Sequence, residues 1–131
     1  MDAARRAIAT SAAPAAIGPY SQAIAAGGLL FLSGQIPLDP VTGAMVGETA
    51  AAQARQVLAN LRAVLAAAGC TPDDLLQVTI YLSDLGDFAE VNAAYAELFT
   101  AAPPARATVQ VARLPRDAKV EIGGIAQLPP G

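Results

Sequence analysis

An α+β domain, in which one sheet carries two helices on a single face, is the fold predicted by three patterns in the chain. From about Glu48 to Ala68 the larger apolar residues fall at 57, 58, 61, 64 and 65, a single helical stripe, with Gly69 placed to end it. Val78, Ile80 and Leu82 then alternate with Thr79, Tyr81 and Ser83, the period of a half-buried strand. Behind Asp87, a suitable capping residue, Phe88, Val91, Tyr95, Leu98 and Phe99 share one helical face, and this second helix is expected to end near Ala101 to Pro104.

The remaining elements complete the layer. Residues 22–26 and 29–34 flank Gly27-Gly28, whose tolerance of positive φ suits a tight hairpin, and a short strand near residues 7–11 is expected before it. Asp39-Pro40 and Thr42-Gly43 supply turn chemistry, and Thr71-Pro72-Asp73-Asp74 suits one helical turn. Two last strands, about 106–112 and 119–126, are joined by Leu114-Pro115-Arg116-Asp117, and Gly123-Gly124 marks a bulge or a close backbone approach. No repeat or linker divides the chain, so residues 1–131 read as one domain. The sheet's second face is either solvated or packed against copies of itself. Because 32 residues of the apolar fraction are alanines, which bury little area, burial shared between subunits is the reading that fits better.

Composition removes several classes of function. Eight basic against eleven acidic residues give a net charge of −3, with no basic cluster beyond Arg5-Arg6, a poor match to a phosphate backbone, so no nucleic-acid partner is expected. Without histidine, imidazole bases and the usual zinc sites are excluded unless a partner chain supplies them. The single Cys70 excludes an intrachain disulfide and reads as an inert boundary residue past a helix end. Pro14, Gly18 and Pro19 interrupt any export signal behind Arg5-Arg6, and residues 23–32 are too short to span a bilayer, so no membrane partner and a cytoplasmic location are expected.

Five side chains stand out as carriers of chemistry. Arg106 follows two prolines and opens a strand, so its approach is stiff. Arg106, Thr108 and Gln110 share one strand face, and with Ala107, Val109 and Val111 assigned to the helices, Arg106 is expected on the helix-free side, suited to a carboxylate or to a salt bridge. Glu121, between Val120 and Ile122, is also expected opposite the helices, where it can order or deprotonate a water, or simply pair with a cation. Asn92 interrupts an apolar helix face and, as a buried amide, must find partners, a backbone tether among them. Tyr20 and Ser33 each set a hydroxyl beside a glycine, where backbone can approach a ligand or merely turn.

In order along the chain, Gly18-Pro19-Tyr20-Ser21-Gln22, Ser33-Gly34-Gln35-Ile36-Pro37, Gln53-Ala54-Arg55-Gln56, Val91-Asn92-Ala93-Ala94-Tyr95, Pro104-Ala105-Arg106, Val111-Ala112-Arg113-Leu114-Pro115 and Val120-Glu121-Ile122 form a pattern. Together these motifs, spanning about Ile8 to Gln127, resemble the RidA (YjgF) family of enamine/imine deaminases. The resemblance implies a chorismate-mutase-like fold, a homotrimer whose sheets pack around the threefold axis, and active sites in clefts between subunits. It implies hydrolysis of 2-imino acids such as 2-iminobutanoate and 2-iminopropanoate, released by pyridoxal-phosphate enzymes, to 2-keto acids and ammonia, a damage-control role needing no cofactor or metal. In that setting Arg106 would anchor the carboxylate, Glu121 would activate water, and the main-chain carbonyl of Thr108 would meet the imine nitrogen, with Tyr20, Ser33 and Asn92 shaping the pocket. Thr108 stands where many relatives carry cysteine, and Gln110 and Gly123-Gly124 also depart from common residues. Two competing readings remain: a non-catalytic module binding a small carboxylate in the same cleft, and an RNA-directed activity, which the acidic charge disfavours.

Overall fold

The computed structural model describes residues 4–130. Its strands are β1 (Arg6–Ile8), β2 (Ala23–Ala26), β3 (Leu29–Gln35), β4 (Leu75–Leu82), β5 (Ala105–Gln110) and β6 (Val120–Gln127), and its helices are α1 (Ala50–Ala67) and α2 (Phe88–Ala96). One six-stranded sheet runs β1-β2-β3-β6-β4-β5. Every pairing is antiparallel except β4 with β5, which α2 joins as a crossover, the kind of connection a parallel pair requires. The mixed α+β layer expected from the sequence is therefore present, with β6, the last strand, in its middle.

Local chemistry explains the element ends. Gly27 and Gly28 adopt φ values of 59° and 79° in the β2–β3 turn, as the hairpin requires. Thr49 caps α1 by accepting from Ala52 N, and Gly69, with a φ of 80°, turns the chain after it. Three expectations need correction. β1 is displaced to Arg6–Ile8, because the chain leaves the ladder where Thr10 N donates to the Gln22 side chain at 2.7 Å. α2 stops at Ala96 because Asp73 accepts from the backbone N–H groups of Thr100 and Ala101, each at 3.2 Å, and from the Thr100 hydroxyl, which draws the following segment away. Asp87 occupies the cap position but makes no capping bond; Asp84 instead closes the preceding turn by accepting from Gly86 N at 2.8 Å.

Val57, Leu61, Val64 and Leu65 of α1 pack on Leu30, Val78, Ile80, Leu82, Val120 and Ile122 of the sheet, all essentially inaccessible. Burying each such side chain stabilises the fold by about 1.5–3 kcal/mol. The helix-free face is different: Phe31 and Val109 are 43% and 40% exposed there. Among the described residues no helix is long and apolar enough to cross a membrane.

Candidate active site

Glu121 lies on the helix-free face, as its alternation with the fully buried Val120 and Ile122 requires. Its ladder partner is Tyr81, and its carboxylate leans over the neighbouring strand β3 at Gly34. A Cβ at Gly34 would stand 2.2 Å from Glu121 Oε2, so only glycine leaves the carboxylate this seat. Gly123 faces the same spot, where a Cβ would approach Gly34 Cα to 3.1 Å. Gly124 presses on the other neighbour, its absent Cβ position 2.2 Å from the Gln77 carbonyl, beside the β4 register shift between Leu75 and Gln77. The glycine pair thus marks the close approach its sequence suggests. Burial pushes the Glu121 carboxyl above its ordinary range.

The carboxylate opens into a cavity of ≈ 480 Å³ that Tyr20, Ser33, Gly34, Ile36 and Arg116 also line. Tyr20 accepts from Ile17 N at 3.3 Å through its hydroxyl, and Ser33 donates to the Ser21 carbonyl at 2.6 Å. The loop that presents Tyr20 is clamped by buried Gln22, whose amide donates to the Pro14 carbonyl at 2.7 Å. Tyr20, Ser33 and Glu121 are accordingly brought together within one chain.

Arg106 is elsewhere. Register places it beside Val78 and Thr108 beside Ile80, so both face the helices, and the expectation that Arg106 points to the helix-free side is wrong. The reason is that β5 is an edge strand which the short α2 covers incompletely; its apolar Ala107 and Val109 turn instead to the open face. Arg106 Nη1 donates to Asn92 Oδ1 at 2.7 Å, and the guanidinium carbon stands 5.6 Å from the Phe88 ring centre and 5.1 Å from that of Tyr95. The rings and the amide hold the cation at the edge of the sheet while leaving donors for a planar anion. Asn92 is exposed, not a buried amide, and it tethers a side chain instead of backbone.

The Tyr95 hydroxyl, pushed up to about 12 by burial against the opposing pull of Arg106, and the Thr108 hydroxyl are both buried without hydrogen-bond partners. Val111 N donates to Leu82 O, so the alternation of a parallel ladder turns residues 107, 109 and 111 toward β4. The main-chain carbonyl of Thr108 consequently faces the free edge. Gln110 closes the row by accepting from Leu85 N at 2.8 Å.

Sequence reasoning missed the ring stack on Arg106, because Phe88 and Tyr95 read as core, and the cavity position of Arg116. Arg116 and Asp117 have φ values of 58° and 57°, a strained pair whose only advance signal was the turn chemistry of Leu114-Pro115-Arg116-Asp117. Cys70 is buried with its thiol near the Gln127 carbonyl, and burial raises its pKa, as suits an inert position.

Comparison with known proteins identifies the context of this geometry. A family model described as Endoribonuclease L-PSP matches residues 10–128. The chain is 59% identical over 125 residues to "Protein DfrA" of Myxococcus xanthus, covering 94% of this chain and 95% of that protein. It is 53% identical over 122 residues to "2-iminobutanoate/2-iminopropanoate deaminase" of Salmonella typhimurium, covering 91% and 94%. The solved structure of the YjgF gene product of Escherichia coli superposes with a TM-score of 0.89 at 50% identity, over 93% of this chain and 98% of that one. With the motif pattern, the fold and these relatives in agreement, the chain belongs to the RidA (YjgF) family.

Proposed function

We propose that the protein hydrolyses 2-imino acids, 2-iminobutanoate and 2-iminopropanoate among them, to 2-keto acids and ammonia in a cleft completed by a second copy of the chain. The observation that carries this reading is the separation of the two charged groups. Arg106 lies on the helix side at the β5 edge, whereas Glu121 lies on the opposite face beside Tyr81. One chain cannot close both around a substrate of a few atoms. A homotrimer in which the helix-free faces pack inward would set the β5 edge of one subunit against the Glu121 cavity of its neighbour. The exposed Phe31 and Val109 support such burial of that face.

In that cleft Arg106 takes the carboxylate with two parallel hydrogen bonds and fixes the adjacent C=N carbon. Glu121 accepts a proton from water as its oxygen attacks C2, and the C=N electron pair moves onto nitrogen, which takes that proton from Glu121. In the carbinolamine so formed Glu121 removes the hydroxyl proton and passes it to the amine as the C–N bond breaks, so that ammonia departs, the keto acid remains and Glu121 is ionised again. The Thr108 carbonyl accepts from the N–H of the imine and of the leaving amine. A carboxyl raised by burial is a stronger base than an ordinary glutamate, which suits it to this step near neutral pH. Histidine is absent and the net charge is −3, so the ribonuclease suggested by the family description would work here without an imidazole acid–base pair and against the repulsion of an acidic chain for phosphate.

The direct test adds purified protein to a pyridoxal-phosphate threonine dehydratase reaction in which the imine is monitored. Faster imine loss with stoichiometric keto acid and ammonia is the expected result, and decay at the buffer rate overturns the reading. One observation favours a second reading, a non-catalytic carboxylate-binding module: Arg106, Asn92 and the two rings form a complete clamp without Glu121. Calorimetric binding of a 2-keto acid without imine turnover would establish that alternative.

A further inference from the structure

Helix α1 carries three amides, Gln53, Gln56 and Asn60, on the side that should be apolar, and Gln53 and Asn60 are 5% and 1% exposed. Burial of an amide costs free energy unless its hydrogen bonds are replaced, so each must be accounted for. Asn60 Nδ2 donates to the carbonyls of Leu38 at 3.0 Å and Ile36 at 3.3 Å, and Gln56 Nε2 donates to Asn60 Oδ1 at 3.0 Å. Gln53 spans two separate segments: its Nε2 donates to the Gly47 carbonyl at 3.1 Å, and its Oε1 accepts from Lys119 N at 2.8 Å. The approach to Gly47 depends on glycine, since a Cβ there would stand 2.9 Å from Gln53 N.

Lys119 immediately precedes β6 and stands two residues before Glu121. Its N–H is held by Gln53 and its carbonyl accepts from Ser83 N at 3.1 Å, so the residue is held through both of its backbone groups. Separated from it by Ala118 alone runs the strained Arg116-Asp117 pair, and Arg116 Nη1 donates to the Gly43 carbonyl at 3.0 Å. The segment that delivers Glu121 is thus tied to loop 43–47 by an amide and a guanidinium, and the amide is the buried one.

We propose that Gln53 is a positioning residue for Glu121, setting where the carboxylate stands over Gly34 by fixing the Lys119 peptide against loop 43–47. It touches neither substrate nor the Arg106 clamp. The inference rests on the assignment of Glu121 as the base, so its test carries one readout that does not require turnover. Tyr20, Arg116 and Tyr81 are the ionisable groups facing Glu121 from neighbouring elements, with Lys119 on its own approach, and Gln53 itself is neutral. A change at Glu121 on replacing Gln53 therefore reports geometry and hydration, not the removal of a charge.

The experiment compares the intact protein with Gln53→Met, which loses both bonds at similar volume, and Gln53→Glu, which keeps the acceptor for Lys119 N. Glu121 is followed by carbon-detected NMR titration of its carboxyl, and imine hydrolysis by kcat and KM. In Gln53→Met we expect a displaced Glu121 midpoint and a kcat lowered about tenfold with KM within about twofold, because misplacing a base by a fraction of an ångström costs rate, not carboxylate binding. Gln53→Glu should recover kcat to within about threefold of the parent, since the Lys119 bond survives. An unmoved Glu121 midpoint in folded Gln53→Met, a kcat in Gln53→Glu no higher than that of Gln53→Met, or a kcat loss that disappears once rates are normalised to folded protein overturns the proposal. If the parent protein itself hydrolyses no imine, the functional reading fails while the titration still decides the role of Gln53.

Discussion

Arg106 and Glu121 stand on opposite faces of the same sheet, Arg106 in register with Val78 and Glu121 in register with Tyr81 on the intervening strand. A site using both must take them from different copies. Complementation tests this directly: Arg106→Ala and Glu121→Gln are each expected to be inactive, whereas equal mixtures, unfolded and reassembled together, regain activity. In a cyclic trimer a site works when one neighbour keeps arginine and the other keeps glutamate, so random mixing should restore roughly a quarter of parental activity. No recovery from mixtures shown to contain hybrid oligomers would place both groups of a site in one chain and defeat the shared-cleft reading.

Glu121 also makes a prediction about stability. Burial raises its pKa in the folded chain above the unfolded value, so the folded state holds the proton over a window that starts near the ordinary glutamate pKa of about 4.3 and extends upward. Folded protein binds more protons than unfolded protein across that window, and stability falls as pH rises through it. Glu121→Gln should therefore melt at a higher temperature than the parent at pH 7, with the difference vanishing below about pH 4, while imine hydrolysis drops by about two to four orders of magnitude. Equal melting temperatures at pH 7 would show that Glu121 carries no burial penalty. In the parent, activity should be lost as pH falls through the raised Glu121 pKa, which kcat/KM against pH will read.

Gly34 offers a way to move the base without changing it. The position a Cβ would occupy lies 2.2 Å from Glu121 Oε2 and 3.0 Å from its Cγ, the mobile part of a side chain, while Gly34 itself has no positive φ. Gly34→Ala should therefore fold and assemble, with Glu121 displaced into the cavity. The expected result is a kcat reduced about tenfold to a hundredfold with a melting temperature within a few degrees of the parent. A fully active Gly34→Ala variant would mean that the seat over residue 34 is not used in the reaction.

What the sequence disclosed and what it withheld divide along a physical line. Periodicity identified α1, β4 and the burial of Val120 and Ile122, because those patterns are set by one face meeting one core. It misassigned the face of Arg106 because β5 is an edge strand: the rule that the apolar side meets the helices assumes that only helices cover a sheet, and Val109 lies on a face that nothing in one chain covers. Likewise Asn92 read as buried because helical spacing says nothing about where a nine-residue helix stops covering the sheet. The motif pattern named Arg106 and Glu121 together, but no spacing along a chain reports that two residues lie on opposite sides of it. Gln53 left a faint trace, an amide on the buried side of a helical stripe, which becomes legible only when its two bonds are seen.

Asn92 and Thr108 separate side-chain from main-chain contributions at the Arg106 edge. Asn92 Oδ1 accepts from Arg106 Nη1 at 2.7 Å, and its loss frees the guanidinium to swing away from the Phe88 and Tyr95 rings. Asn92→Ala should raise KM about threefold to tenfold, because one hydrogen bond to an exposed charged group is lost, and lower kcat less. Thr108 should behave differently. Its hydroxyl is buried without a partner, and the role proposed for the residue belongs to the carbonyl on the free edge. Replacing an unpaired hydroxyl by a methyl of the same shape removes a desolvation penalty, so Thr108→Val should melt no lower than the parent and retain kcat and KM within about twofold. A large loss of activity in Thr108→Val, with folding intact, would transfer the role from the backbone to the side-chain oxygen.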